Sequence, residues 1–573
     1  MKKRWILNLI ILMIMVVALA GCRNKRRDQP LTDNLRIPEH FKNIPADSPY
    51  VLADIKAFPY DQLNWQWVDA YQKSLTSMRQ SMESTMAPDP EMRSQDEKLV
   101  LAVLDELDGR LNKEGLAELG ISSQAHMALY GIGIFPAFRL ELGDSAKFEA
   151  MIARIEAKVG TAMPTKDYNG IKVRYLQEDD VFIPIMVTDT ELLMGVTSTG
   201  FEGEFMGVLT GKTPVEDNLF NNNHLLAMQK KYKMLPYVSG YVSTQGVVSV
   251  LLGDDKSSLT ARSLASLGEE APVVSDVCKT EMRQLAADVP RFVFGYTDVT
   301  KTSVSAISGV EMTTDLPKRL MAAKAPIPGH NSELNKKALL TMGVGVDIAK
   351  FIEVLRAEAQ QVGSDPYKCE ELDWMNQSAE DFYFNAQQIP PFVRTIQGIS
   401  FVLSDFEFRD NQIKKLQLLT VLHSSNPEEL WNAVKPFIEN MTGPVNLTTN
   451  GQAVAIQLPP DLTMTMPDLP VPMLSMTQVA LSLAMGPGMQ DAAAAQSKPM
   501  GDKKTPIFTF GYDISRFMTI VNNAVPGGLY SGDPSMEGMM EMYKSFGPSV
   551  MAFDITENGF FINVDSTLIP PKQ

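Results

Sequence analysis

Cysteine is nearly absent from this chain, with three residues in 573. So low a content excludes the disulfide-dense scaffolds of small secreted domains. No Cys-x-x-Cys and no closely spaced histidine pair accompanies the three, so the usual zinc spacings are missing. Histidine is also sparse: His40, His126, His224, His330 and His423 are scattered, without an HExxH, and read as ordinary surface or core residues. There is no GxSxG elbow, no Walker loop and no full GxGxxG, because Gly131-Ile132-Gly133 lacks the third glycine and fits a strand better. Acidic pairs such as Glu370-Glu371 read as solvated faces. Positive charge is in deficit, with 52 Lys and Arg against 68 Asp and Glu. Phosphate binding depends on basic residues, so no nucleic-acid partner is expected. These absences leave no catalytic residue, no metal ligand and no cofactor site to assign.

Long apolar runs are missing too, with one exception at the start. Lys2, Lys3 and Arg4 precede an apolar stretch from Trp5 to Ala20, broken only by Asn8, and small residues close it. That is the three-part layout of an export signal. Sixteen residues fall short of the roughly 20 needed to span a bilayer comfortably. The closing Leu19-Ala20-Gly21-Cys22 resembles the lipobox of bacterial lipoproteins. The resemblance implies cleavage after Gly21, lipid on the sulfur of Cys22 and an acylated new amino terminus. Several acyl chains would anchor firmly, at about 0.8 kcal/mol per buried methylene. Arg23 follows, where Asp would favour inner-membrane retention in Gram-negative sorting, so the resemblance points to the outer membrane for such a source. The expected location is the cell envelope, facing the periplasm. Removing residues 1–21 takes the formal charge from −16 to −19.

The rest of the chain is globular in composition, at 45% apolar and 21% charged residues. Residues 22–47 carry Pro30, Pro38 and Pro45 among polar residues and read as an extended tether. The opening Pro45-Ala46-Asp47 with Tyr50-Val51 is similar to that of a broad family of uncharacterised exported bacterial proteins, which carries no established activity.

A phrase then recurs: a short strand, an Asp, and a Phe four residues later. It occurs at Asp54 with Phe58, Asp144 with Phe148, Asp347 with Phe351 and Asp513 with Phe517, and more loosely from Tyr237 to Leu251. An Asp at this junction can cap a following helix, and the Phe begins its buried stripe. Amphipathic spacing predicts two further helices, one through Leu63, Trp67, Tyr71 and Leu75, the other through Val100, Leu104 and Leu111. Hairpins alternate with these units, with tips at Glu178-Asp179-Asp180, Asp410-Asn411 and Asn558-Gly559. Together they predict an α+β fold with mainly antiparallel sheets and repeated strand–helix units. Two halves are expected, 48–325 and 335–573, the second with a Met- and Pro-rich insertion near 459–505. Within it, Leu474 to Met485 is apolar enough for a mobile lid or an interfacial helix.

With Cys22 lipidated, Cys278 and Cys369 remain as a pair in an exported chain, and a disulfide between them is expected. It would staple the halves and contribute about 4–5 kcal/mol in the chain-entropy model. The 34 methionines suit either irregular cores or adaptable binding surfaces. The functional expectation is a non-enzymatic lipoprotein, held to the membrane by its N-terminal lipid, that binds another envelope component. A carrier of lipid or another apolar ligand is the second reading, and an enzyme without a recognisable motif the third. Cys22→Ser should abolish palmitate labelling and move the protein from the membrane fraction to the soluble one.

Overall fold

Alternation of apolar and small or polar residues builds strands at intervals along this chain, between helices, and antiparallel pairing joins all those described. A computed structural model describes residues 37–569 apart from 58–71, 253–256, 269–273, 500–504, 525–542 and some isolated positions. The strands of the first half are β1 (Tyr50–Ala53), β2 (Met127–Ile132), β3 (Phe135–Glu141), β4 (Thr165–Tyr168), β5 (Ile171–Glu178), β6 (Val181–Val187), β7 (Glu191–Gly195), β8 (Thr197–Ser198), β9 (Ser239–Ser243), β10 (Arg291–Val299) and β11 (Ser303–Glu311). Those of the second are β12 (Leu340–Val344), β13 (Ile396–Arg409), β14 (Gln412–Ser424), β15 (Val454–Ala455), β16 (Met473–Met476), β17 (Ala480–Met485), β18 (Phe508–Asp513), β19 (Phe546–Thr556) and β20 (Gly559–Leu568). The fold is α+β, and every strand pairing described is antiparallel.

The last strands of the two halves, β11 and β20, pair with each other from Ser303↔Thr567 to Glu311↔Gly559. Outward from β11 the order is β10, β9, β1, β2, β3, β7, β6, β5, β4. Outward from β20 it is β19, β18, β12, β13, β14, β17, β16, β15. Each half therefore lays down the same succession of strands on its side of the β11–β20 seam. At the seam, Asn558-Gly559 turns the β19–β20 hairpin. Gly559 has φ +133°, and a Cβ there would collide with the Val310 carbonyl oxygen of β11.

Three of the recurring aspartates cap helices. Asp144 accepts the Lys147 amide at the start of α1 (Ser145–Val159), Asp347 accepts that of Lys350 at α2 (Ile348–Ser364), and Asp513 accepts that of Arg516 at α3 (Ile514–Ala524). Each such cap stabilises its helix by about 1 kcal/mol. Of the two further helices, the one through Val100 spans Gln95–Leu107, while most of the other lies outside the described residues.

Some expectations change. The tether is shorter than 22–47: Phe41 and Ile44 are buried in the first core, and Pro45 bridges to Asn218. Leu474 to Met485 forms β16 and β17, which pair with each other and dock on β14, so it is neither lid nor helix. Its apolar length reflects strands covered on both faces, a pattern that periodicity alone cannot separate from a buried helix. Among the described residues no helix is long and apolar enough to cross a membrane.

The two faces of the sheet are packed differently. On one, Val51, Tyr130, Val293 and Phe561 join the first core, while Val402, Leu419 and Val421 join another with Met489 and Ala493. On the other, a cross-strand row begins at Ile185, Met194, Phe138, Leu129 and Leu52 and ends at Leu422, Leu481 and Met476. The Gln95–Leu107 helix and α1 cover the first end, and Trp431 with Val434 covers the last. Phe561→Ala should cost about 3–5 kcal/mol in urea unfolding. Its neighbour Phe560→Ala, on the half-open face, should cost markedly less.

Candidate functional site

Among the described residues, the less covered part of that second face spans β10, β11, β20, β19, β18, β12 and β13, between the two covered ends, with Tyr296 of β10 packed on the first end and α3 lying against β13, β18 and β19. The row continues through it as Phe294, Ser308, Ile562, Phe553, Phe508, Val344 and Ile399. The adjacent row is Ala306, Val564, Met551, Phe510, Met342 and Phe401. Alternate residues of single strands show the asymmetry. Phe292 is 40% exposed beside Val293 at 0%, and Met342 at 42% opposes Phe401, next to Val402 at 0%. Tyr512 and Val564 are also exposed. Across the register positions of these seven strands, this face carries no Asp, Glu, Lys or Arg among the described residues.

The exposed residues repeat in the two halves. β9 runs directly into a helix, Thr244–Leu252, as β18 runs into α3. The residue before the last strand position is Val242 in one and Tyr512 in the other; five residues on stand Val247 and Phe517. All four are exposed. Exposed apolar groups clustered on a sheet floor mark an interaction surface, whereas scattered single ones carry no such meaning.

A polar cluster lies at the end of β1. The fourth recurring aspartate, Asp54, has an Oδ1 that accepts the Met127 amide at 3.2 Å and faces His126 Nδ1 at 3.0 Å. Asp54 is fully buried, and its Oδ2 has no hydrogen-bond partner. Burial raises its pKa to about 6, against the opposing pull of His126. His126 is partly open to solvent. Burial pulls it down, but the bond and charge of Asp54 outweigh that and leave its pKa raised. The His126 amide also donates to Glu141 at 3.1 Å. The His40 ring stands 5.8 Å from that of His126, and burial, then the positive fields of His126 and Arg139, lower its pKa to about 3. Sequence reasoning missed this grouping, since His40, Asp54 and His126 are far apart in the chain. The arrangement can hold and exchange a proton; among the described residues no serine or cysteine hydrogen-bonds to His126 as a nucleophile would.

Cys278, near the start of a helix at Asp276–Asp288, is disulfide-bonded to Cys369, with Cα atoms 4.5 Å apart. The bridge joins a segment of the first half to one of the second. Glu371 is exposed, as the sequence suggests, and its Oε2 lies 2.9 and 3.0 Å from the two sulfurs. Glu281 accepts the amides of Lys368 and Cys369 and braces the same loop. The two sulfurs and Glu371 are the one group among the described residues close enough together to hold a metal. With the sulfurs bonded to each other, neither thiolate is free to be a ligand. The lipobox around Cys22 lies outside the described residues, as do Met536, Met539, Met540 and Met542. Of the methionines in the Met- and Pro-rich stretch near 459–505, Met476 and Met489 are buried and Met464 is exposed.

No protein-family model, no curated protein and no solved structure matches this chain.

The proton site has a definite sign. Asp54 titrates higher in the folded protein than in the unfolded chain, and so does His126, so both favour folding in acid. That stability is full below the ordinary Asp value and is lost as pH rises through about 6 and past the His126 transition. Asp54→Asn should therefore lose less stability than the parent between pH 4 and pH 8, by up to about 3 kcal/mol at ~1.4 kcal/mol per pKa unit. Urea unfolding at both pH values checks it.

Proposed function

We propose that this protein is a lipid-anchored component of the cell envelope that binds another envelope component through the open apolar face of its sheet. The observation that carries this reading is the packing asymmetry within single strands. Phe292, Met342 and Tyr512 retain more than a third of their surface while Val293, Gly343, Gly511 and Asp513, beside them on the opposite face, are buried. Leaving them exposed forfeits roughly 25 cal/mol for each Å² of apolar area that could be covered. A partner that covers them recovers it.

The lipobox-like Leu19-Ala20-Gly21-Cys22 supports anchoring, and Arg23 supports the outer membrane in a Gram-negative source. The Cys278–Cys369 disulfide suits an oxidising compartment outside the cytoplasm. An acidic body with no charge on the open face suits an apolar partner and not a polyanion. The binding role needs no chemistry, in keeping with the missing catalytic motifs.

A photo-crosslinking side chain at Tyr512 or Val242, in cells, should capture one reproducible species. The same group at Lys336, on the exposed surface, should not capture it. Identical capture from all three positions, or none from the face, would remove the reading.

A further inference from the structure

We infer that the occupant of the open face is the hydrocarbon portion of a membrane lipid. This rests on the face being the binding surface proposed above, and it names the chemistry of what binds. All seven floor strands are paired on both sides, from β10 to β13. Their backbone groups are used, so an extended peptide cannot add itself as a further strand there. Protein interfaces need about one hydrogen bond per 100–200 Å². The floor offers little to meet that need: Ser308, Ser566, the buried Ser549 and the hydroxyls of Tyr296 and Tyr512 are its polar groups in register with the apolar rows. Acyl chains need no hydrogen bonds and are indifferent to the missing charge.

The dimensions agree. Seven strands at about 4.8 Å spacing make a floor roughly 29 Å across. One leaflet of a bilayer is about 15 Å of hydrocarbon deep. The floor is therefore wide enough for an extended acyl chain to lie across its strands; the exposed Tyr512 stands on it, and the exposed Val242 stands beside it on β9, opposite Phe292. The described body begins at Ile37, fifteen residues after Cys22. At about 3.3 Å per residue that segment reaches at most ~50 Å, which keeps an anchored body within range of its membrane.

The test uses the full mature chain carrying Cys22→Ser, so that no attached lipid competes, stripped of bound lipid on a hydrophobic resin. It is titrated with the fluorescent fatty acid cis-parinaric acid, and in a second arm incubated with phosphatidylethanolamine vesicles and analysed by mass spectrometry after re-isolation. Saturable parinaric acid binding is expected, and Met342→Glu or Val564→Glu should weaken it at least tenfold, about 1.4 kcal/mol. Phe437→Glu, at a highly exposed position outside the floor, should leave it unchanged. Val564→Thr, with its urea midpoint measured alongside, guards against misfolding of the charged variants and should weaken binding to a smaller degree. Recovery of phospholipid from the vesicles supports the inference. Uptake of the fatty acid alone, with no phospholipid, counts against a membrane lipid and overturns it. It is also overturned if the folded chain takes up neither, or if the floor variants bind as tightly as Phe437→Glu. A protein captured from Tyr512 without lipid uptake would leave the face as a binding surface and reject the acyl chain. Capture of nothing and uptake of nothing would reject both.

Discussion

The antiparallel seam between β11 and β20 is the constraint on which the rest of this protein depends. Nine consecutive residue pairs join the last strands of the two halves, so neither half ends in a free edge at its centre. Unpaired strand edges are aggregation hazards. Fusing them makes one sheet whose register is continuous from Ile185 on β6 to Met476 on β16. Because side chains alternate strictly along each strand, that register also fixes which residues share a face through the middle of the molecule. The Cys278–Cys369 bridge ties the halves a second time, away from the seam.

The asymmetry of the two faces follows from what each half can supply. The buried face is filled by aromatic and aliphatic groups, including Tyr130, Phe182, Phe205 and Phe561. On the other face the covering helices sit at the two ends, where α1 and the Gln95–Leu107 helix meet β2, β3 and β7 and where Trp431 meets β16 and β17. The middle, furthest from both, keeps apolar residues partly in water. A sheet with only folding to accomplish would place polar residues there. The retained hydrophobicity is why a binding role is favoured over a purely structural one.

The Asp54 cluster and the Cys278–Cys369–Glu371 group show how the same residue types acquire different roles. Asp144, Asp347 and Asp513 spend their carboxylates on helix amides. Asp54 stands in the same phrase but turns to His126 and the Met127 amide, where burial raises its pKa. Glu371 meets the sulfur of its near neighbour Cys369 and that of Cys278, which only the fold brings to it.

Local pattern determined much of this protein by itself. The hairpins at 178–180, 410–411 and 558–559, three of the four aspartate caps and the α+β class all follow from interactions between residues within a few positions of one another. Such interactions are written in periodicity and turn chemistry. The tertiary structure alone decided that the two halves share one sheet, that Leu474 to Met485 is strand and not lid, and that His40, Asp54 and His126 meet. It also decided which apolar residues stay exposed: Val293 and Phe292 look equivalent in sequence. Among the described residues, only the uneven placing of helices over the two faces tells them apart.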